Sequence, residues 1–225
     1  MVLIKFGEKE HLQMLKEGSV HFNPLSRFRE DTTLFRGDEL EGKYIIDTSK
    51  GFFIDGIDIS KFGEGARATL TYEDSDDALI FCAAVLDSSN SQFVDSHRIN
   101  VEDSFIEEMR NFGQYAIVFD GATFVSKVNS ALDILHCNRA YHGVEYCNKN
   151  NHVAVHSIIQ KLKPILDNDT IYFIKDKRYK LQHEWRYVID YIAGEDILNS
   201  DKSFTLPIEP FPMSDIIDID KMKQV

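Results

Sequence analysis

Gln182, Glu184 and Arg186 alternate at the head of the run LQHEWRYVIDYI, whose later residues are mostly aromatic or branched. Read as a strand, this run puts those three side chains on one face and Leu181, His183, Trp185 and Tyr187 on the other. A polar row with apolar neighbours must face a polar cleft or pair within itself. Two chemistries fit the row. Glu184 can present an ionised carboxylate to a ligand, or it can pair with Arg186 and close the sheet face.

A second group lies in the stretch PLSRFREDTTLFRGDELEG, which holds Arg27, Arg29, Asp31, Arg36, Asp38, Glu39 and Glu41. The arginine fork suits phosphate or carboxylate, and Gly37 and Gly42 let a backbone approach a ligand closely. The plain alternative is a hydrated loop of internal ion pairs.

A third group, Cys137, Cys147, His152 and His156, spells C-x9-C-x4-H-x3-H. Structural zinc sites use a much tighter first cysteine pair, and i, i+4 histidines have a plain helical explanation, so no metal is expected. Walker, G-x-G-x-x-G and G-x-S-x-G signatures are absent from the sequence, which removes the usual markers of P-loop and hydrolase chemistry.

The elements that must carry these residues are those of one mixed domain. The chain has 225 residues, 43% hydrophobic and 12% aromatic, enough for a core without disulfide or metal support. With 25 basic against 37 acidic residues, the formal charge of −12 argues against duplex nucleic acid as a partner. Three cysteines, and the charge that interrupts the opening MVLIKFGEKEH, point to a reduced, cytoplasmic chain without a membrane span.

Strands are expected at Val2–Phe6, Ser19–Asn23 and Tyr115–Phe119, and in KYIID, GFFIDGIDI, RATLTYE and ALIFCAAVLD. AYHGVEYC, TIYFIKD and LQHEWRYVIDYI read the same way, since β-branched and aromatic residues dominate all these runs. Helices are expected over Lys9–Glu17, Asn100–Phe112, Asp120–Leu132 and an NHVAVHSIIQKLKPIL segment interrupted at Pro164. The fold class is therefore α+β, a single domain over 1–225 with one mixed, largely antiparallel sheet and about four helices.

The opening strand, helix and Gly18, followed by VHFNPLSRFRED, resemble the start of a large uncharacterised bacterial and phage family. That family shows "L..G.i.F..p..F" and then an acidic residue, here Leu15, Gly18, Val20, Phe22, Pro24 and Phe28 with Asp31 or Asp38. IFCAAVLDSS around Cys82 resembles its central motif. Val144 and Tyr146 resemble its "v.Y" strand, and Lys175, Glu184, Trp185 and Arg186 its "K…W..E.EWR" close. Tyr179 stands where the family has Trp, and Gln182 where it has the first Glu.

The order of elements is also similar to that of ADP-ribosyltransferases, which place a catalytic Glu on a late strand. That resemblance implies NAD as the ligand and Glu184 as the carboxylate that stabilises positive charge on the ribose as nicotinamide leaves. The candidate ligand contacts are His21, Arg27, Arg29, Arg36, Asp38, Lys175, Gln182 and Arg186, although His21 does not fall at a motif position of those enzymes. Lys5 takes the first-strand position where those enzymes carry His or Arg. The expectation is an NAD- or nucleotide-binding protein of bacterial or phage conflict systems. The alternative is a non-catalytic acidic inhibitor or binding module that acts on a partner protein.

Overall fold

The computed structural model describes residues 1–224 except 34, 36, 48–52, 55, 56, 59–66, 72–74, 96, 97, 193 and 194. Its strands are β1 Val2–Gly7, β2 Ser19–Pro24, β3 Lys43–Asp47, β4 Phe53–Ile54, β5 Ile57–Asp58, β6 Arg67–Thr71, β7 Leu79–Leu86 and β8 Ser91–Asp95. Then come β9 Arg98–Val101, β10 Tyr115–Asp120, β11 Cys137–Gly143, β12 Glu145–Cys147, β13 Ile174–Asp176, β14 Glu184–Ile192, β15 Phe204–Pro207 and β16 Ile216–Asp218. The α-helices are α1 Lys9–Lys16, α2 Leu25–Glu30, α3 Asp103–Met109, α4 Gly121–Leu132 and α5 His152–Leu166. The protein is thus α+β around one largely antiparallel sheet.

That sheet runs β11-β14-β7-β1-β10-β16, with β2 and β15 as a branch. The central strand β7 pairs with β14 along one edge. Its other edge is shared. β1 takes the Ala84–Leu86 end, and β2 takes the Leu79–Ile80 end. The fork leaves the Cys82 carbonyl without a strand partner on that side, and the Lys5 ammonium donates to it at 2.6 Å. Smaller pairs lie outside: β3 with β6, β4 with β5 and β8 with β9 are antiparallel, and β12 with β13 is parallel.

Alternation gives the sheet two unlike faces. On the first, Leu3, Phe22, Phe81, Ile117, Trp185 and Tyr187 pack against Leu12 and Leu15 of α1 and Phe124, Val128 and Leu132 of α4. Asp120 caps α4, its carboxylate accepting from the Thr123 amide at 2.7 Å. On the second face, Ile4, Phe6 and Ala84 meet Phe105, Ile106 and Met109 of α3. Farther along that face, Ile80 and Val188 meet Leu162 and Leu166 of α5. Between these two apolar clusters the second face carries Cys82, Glu184 and Arg186.

Several boundaries differ from the sequence reading. Helix α3 begins at Asp103, because Arg98–Val101 pairs with β8. Pro164 does not interrupt α5. It falls in the last turn, where its missing N–H removes one bond near an already fraying end. Val144 separates β11 from β12, and only Ile174–Asp176 of TIYFIKD is strand. The segment Lys177–Gln182 is a 3-10 helix, capped where Asp176 accepts from the Arg178 amide. β14 therefore starts at Glu184, after His183 turns the chain with φ 45°. Of GFFIDGIDI, only Phe53, Ile54, Ile57 and Asp58 lie among the described residues.

Candidate functional site

Arg186 and Glu184 project from consecutive same-face positions of β14, and both are buried, Arg186 completely. A guanidinium taken from water is costly unless its donors are met. Here four donor contacts meet them. Nε donates to Glu184 Oε1 at 2.6 Å, and Nη1 and Nη2 clasp the two oxygens of Glu41 at 2.7 and 3.0 Å. Nη1 also donates to the Tyr172 carbonyl at 2.5 Å. This forked pairing on Glu41 joins residues 145 positions apart in sequence.

The second Glu184 oxygen accepts from Lys175 Nζ at 2.6 Å. The same ammonium donates to Gln182 Oε1 at 3.0 Å and lies 4.7 Å from the centre of the Tyr179 ring. Glu184 also donates its backbone N–H to the Tyr146 hydroxyl at 2.7 Å. Gln182, though outside the strand, rejoins the row because the left-handed turn at His183 brings it back over Glu184.

Phe35 and the run 37–42 of the same loop lie across this group as a strap. Gln182 Nε2 donates to the Phe35 carbonyl at 2.7 Å, the Tyr179 hydroxyl donates to the Gly37 carbonyl, and Lys149 Nζ donates to the Leu40 carbonyl. Lys149 is fully buried and also sits 3.5 Å from Asp38. Gly37 and Gly42 serve the strap itself. A Cβ at Gly37 would strike the Asp31 carbonyl at 1.6 Å, and one at Gly42, with φ 65°, the Leu25 side chain at 2.4 Å. Their close approach is to the protein's own chain, where the sequence had suggested a ligand.

The electrostatics follow from this packing. Burial is the largest single influence and would raise the Glu184 and Glu41 carboxyls, but Arg186 and the neighbouring lysines together outweigh it and hold both below their ordinary value. Burial opposes charge on Arg186 and Lys175 as well, yet Glu184 and Glu41 keep both cations firmly protonated. Lys149 is shifted down, because burial exceeds the pull of Glu41 and Asp38. Burial and then the Glu184 charge push the Cys82 thiol up to about 12. That is far from the thiolate form a nucleophile needs. Asp38, Glu41 and Glu184 against Lys149, Lys175 and Arg186 make a self-neutralised group.

The other candidates lie elsewhere. Arg27 pairs with Asp201 at 3.1 Å and bonds Asn23 at the same distance. Arg29 pairs with Asp76. Their carboxylates come from distant segments, whereas the loop's own acids had been the expected alternative. Arg27, Glu30, Asp76, Asp77, Asp201 and Lys202 line an open cleft of about 510 Å³ that Glu184 does not reach. On β7, the residue paired with Glu184 is five positions from the residue paired with Pro24, about 17 Å along a strand. Glu184 and these arginines therefore do not share a cleft. Arg36 lies outside the described residues. His21 is exposed at the fork, its Nδ1 3.2 Å from Thr205 Oγ1, and partial burial lowers its basicity.

Among the described residues, no three His, Cys, Asp or Glu side chains converge where they could hold a metal ion. No described helix is long and apolar enough to cross a membrane. Comparison with family models, curated proteins and solved structures returned no match to this chain.

The sequence reading singled out Lys175, Gln182, Glu184 and Arg186, and the fold brings these four together. It gave no role to Glu41 beyond a charged loop, and it missed Lys149, Tyr172 and the Tyr146 hydroxyl. An acidic residue shortly after Phe28 was the available signal, and it was read as Asp31 or Asp38. Asp38 does join the group, against Lys149, while Asp31 turns its carboxylate to the Thr33 amide.

Proposed function

We propose that the chain is a nucleotide-binding protein of the ADP-ribosyltransferase-like kind, with NAD as its ligand and Glu184 as the carboxylate that faces the ribose. The observation that carries this reading is an ionised, immobilised carboxylate on a late strand, beside a sheet that forks between its first two strands. A fixed negative charge is what stabilises positive charge developing on a sugar ring. Loss of nicotinamide leaves that ring to be captured by water or another nucleophile, whose proton passes to solvent. Both Glu184 oxygens are ion-paired, to Arg186 and Lys175, so contact with a ribose requires one of those pairs to open.

A second reading has its own observation. The cleft beside α2 carries four carboxylates, Glu30, Asp76, Asp77 and Asp201, against two cations, Arg27 and Lys202. Such a cleft suits a basic segment of a partner protein better than a pyrophosphate. Calorimetric titration with NAD, followed by an assay for released nicotinamide, separates the two. Saturable binding with release that Glu184→Gln abolishes supports the enzyme. No heat and no nicotinamide contradicts it and leaves the acidic binding module.

A further inference from the structure

We propose that the strap carboxylates Glu41 and Asp38 occupy an anion site of the protein itself, built from Arg186, Lys149 and Lys175, which binds a pyrophosphate-class anion when the strap lifts. The first ground is the charge count. Beneath the strap lie three cations and one carboxylate, Glu184, so moving Glu41 and Asp38 away leaves a local charge of about +2 at the opened site. Arg186 and Lys149 are fully buried and Lys175 nearly so. With the strap away, that concentrated positive charge favours an anion from solvent in the place Glu41 vacates.

Geometry supplies the second ground. Arg186 presents two parallel donors to Glu41, the arrangement that accepts carboxylate and phosphate alike. Lys149 and Lys175 both act on Glu41 through their charge, so three cations surround one carboxylate. The strap is also held differently from the sheet. From Gly37 to Gly42 it forms no strand, and side chains of the site grip it through the carbonyls of Gly37 and Leu40. Its own amide bonds are local: Gly37 to Thr33, Glu41 to Asp38 and Lys43 to Leu40, with Asp38 reaching only to Phe28. Lifting it breaks few main-chain bonds. Arg27 and Arg29 are each paired with one surface carboxylate, and neither sits in a comparable cluster of cations.

This rests on the nucleotide reading of the same site and specifies how the site is kept closed, but its test needs neither NAD nor turnover. The probe is inorganic pyrophosphate, titrated into the wild-type chain and into Glu41→Gln, which keeps the shape and removes the competing charge. Affinity at least about tenfold tighter in Glu41→Gln, lost again when Lys149→Gln is added, is the expected result. Should Glu41→Gln fail to fold, hydrogen exchange on the wild type decides. Pyrophosphate should then speed exchange of the Asp38, Glu41 and Lys43 amides. Equal or absent binding in the two folded proteins, or unchanged exchange in the wild type, overturns the proposal. Pyrophosphate binding without nicotinamide release would keep this inference and sink the enzyme, and release without pyrophosphate binding would do the reverse.

Discussion

Arg186 and Arg27 are the same residue type, and each faces carboxylates brought from far along the chain. They differ in water. Arg186 is sealed between two apolar clusters and clasps Glu41 with two donors, whereas the Arg27 side chain is 57% exposed and holds Asp201 by one. Arg186 and its two glutamates had to pair fully, because each missing partner would leave a desolvated charge. The surface pair had no such constraint, since water competes for both partners and screens them. Ion pairing alone therefore identifies neither a site nor a scaffold. Enclosure and completeness separate the two regions.

The largest effect should come from cutting the buried group at its centre. Arg186→Met strands Glu41 and Glu184 and should cost about 3–5 kcal/mol in denaturant unfolding, or prevent folding. A loss no larger than that of Arg27→Ala would erase the contrast between the regions. Glu184→Gln comes next. It leaves Lys175 and Arg186 with a neutral acceptor and should cost about 1.5–3 kcal/mol. The double pairing of Glu184, to Arg186 and to Lys175, is what makes it a structural residue as well as a candidate site residue.

Acid sharpens the same comparison. Glu41 and Glu184 have depressed folded-state values, so they add stability that is complete above their ordinary 4.5 and is lost as pH falls through the folded values. Asp169 has the opposite sign. Burial, then Asp190 and Asp167, raise it from 3.8 to about 6. Its contribution is full below 3.8 and lost as pH rises through about 6. Asp169→Asn should therefore raise the melting temperature at pH 8 and lose that advantage towards pH 4. An advantage that grows on acidification would show that the carboxyl is not raised.

The smallest effect belongs to the surface. Arg27→Ala should leave the unfolding midpoint where it is within error, and added salt should not change that. Arg29→Ala should cost more, because that side chain is only 10% exposed. Equal losses for the two would mean that enclosure does not set the value of a pair.

Much of the frame was legible in the sequence because its signals are local. Alternating β-branched and aromatic runs marked β1, β2, β7 and β10, and the spacing of Phe124, Val128 and Leu132 marked α4. The row Gln182, Glu184 and Arg186 was legible for the same reason, although the strand begins only at Glu184. What stayed hidden was tertiary. No local pattern tells Glu41 from Asp31, Asp38 or Glu39, and only folding carries Glu41 across to Arg186. Lys149 carries no local signal, and its burial depends on a strap folded over it from residues 38–41. Period-two reasoning also missed the turn at His183, whose positive φ no sequence alternation could announce.

The central claim is that Glu41 and Arg186 form one closed unit with the late-strand motif. A double-mutant cycle on Glu41 and Arg186, read by denaturant unfolding, tests it most directly. Each single replacement by a residue of similar volume, Glu41→Leu or Arg186→Met, should cost about 3–5 kcal/mol. The double replacement should recover most of that loss, because no unpaired charge then remains buried. If the two single losses simply add, with no recovery in the double variant, the strap and the strand are independent and the account is wrong.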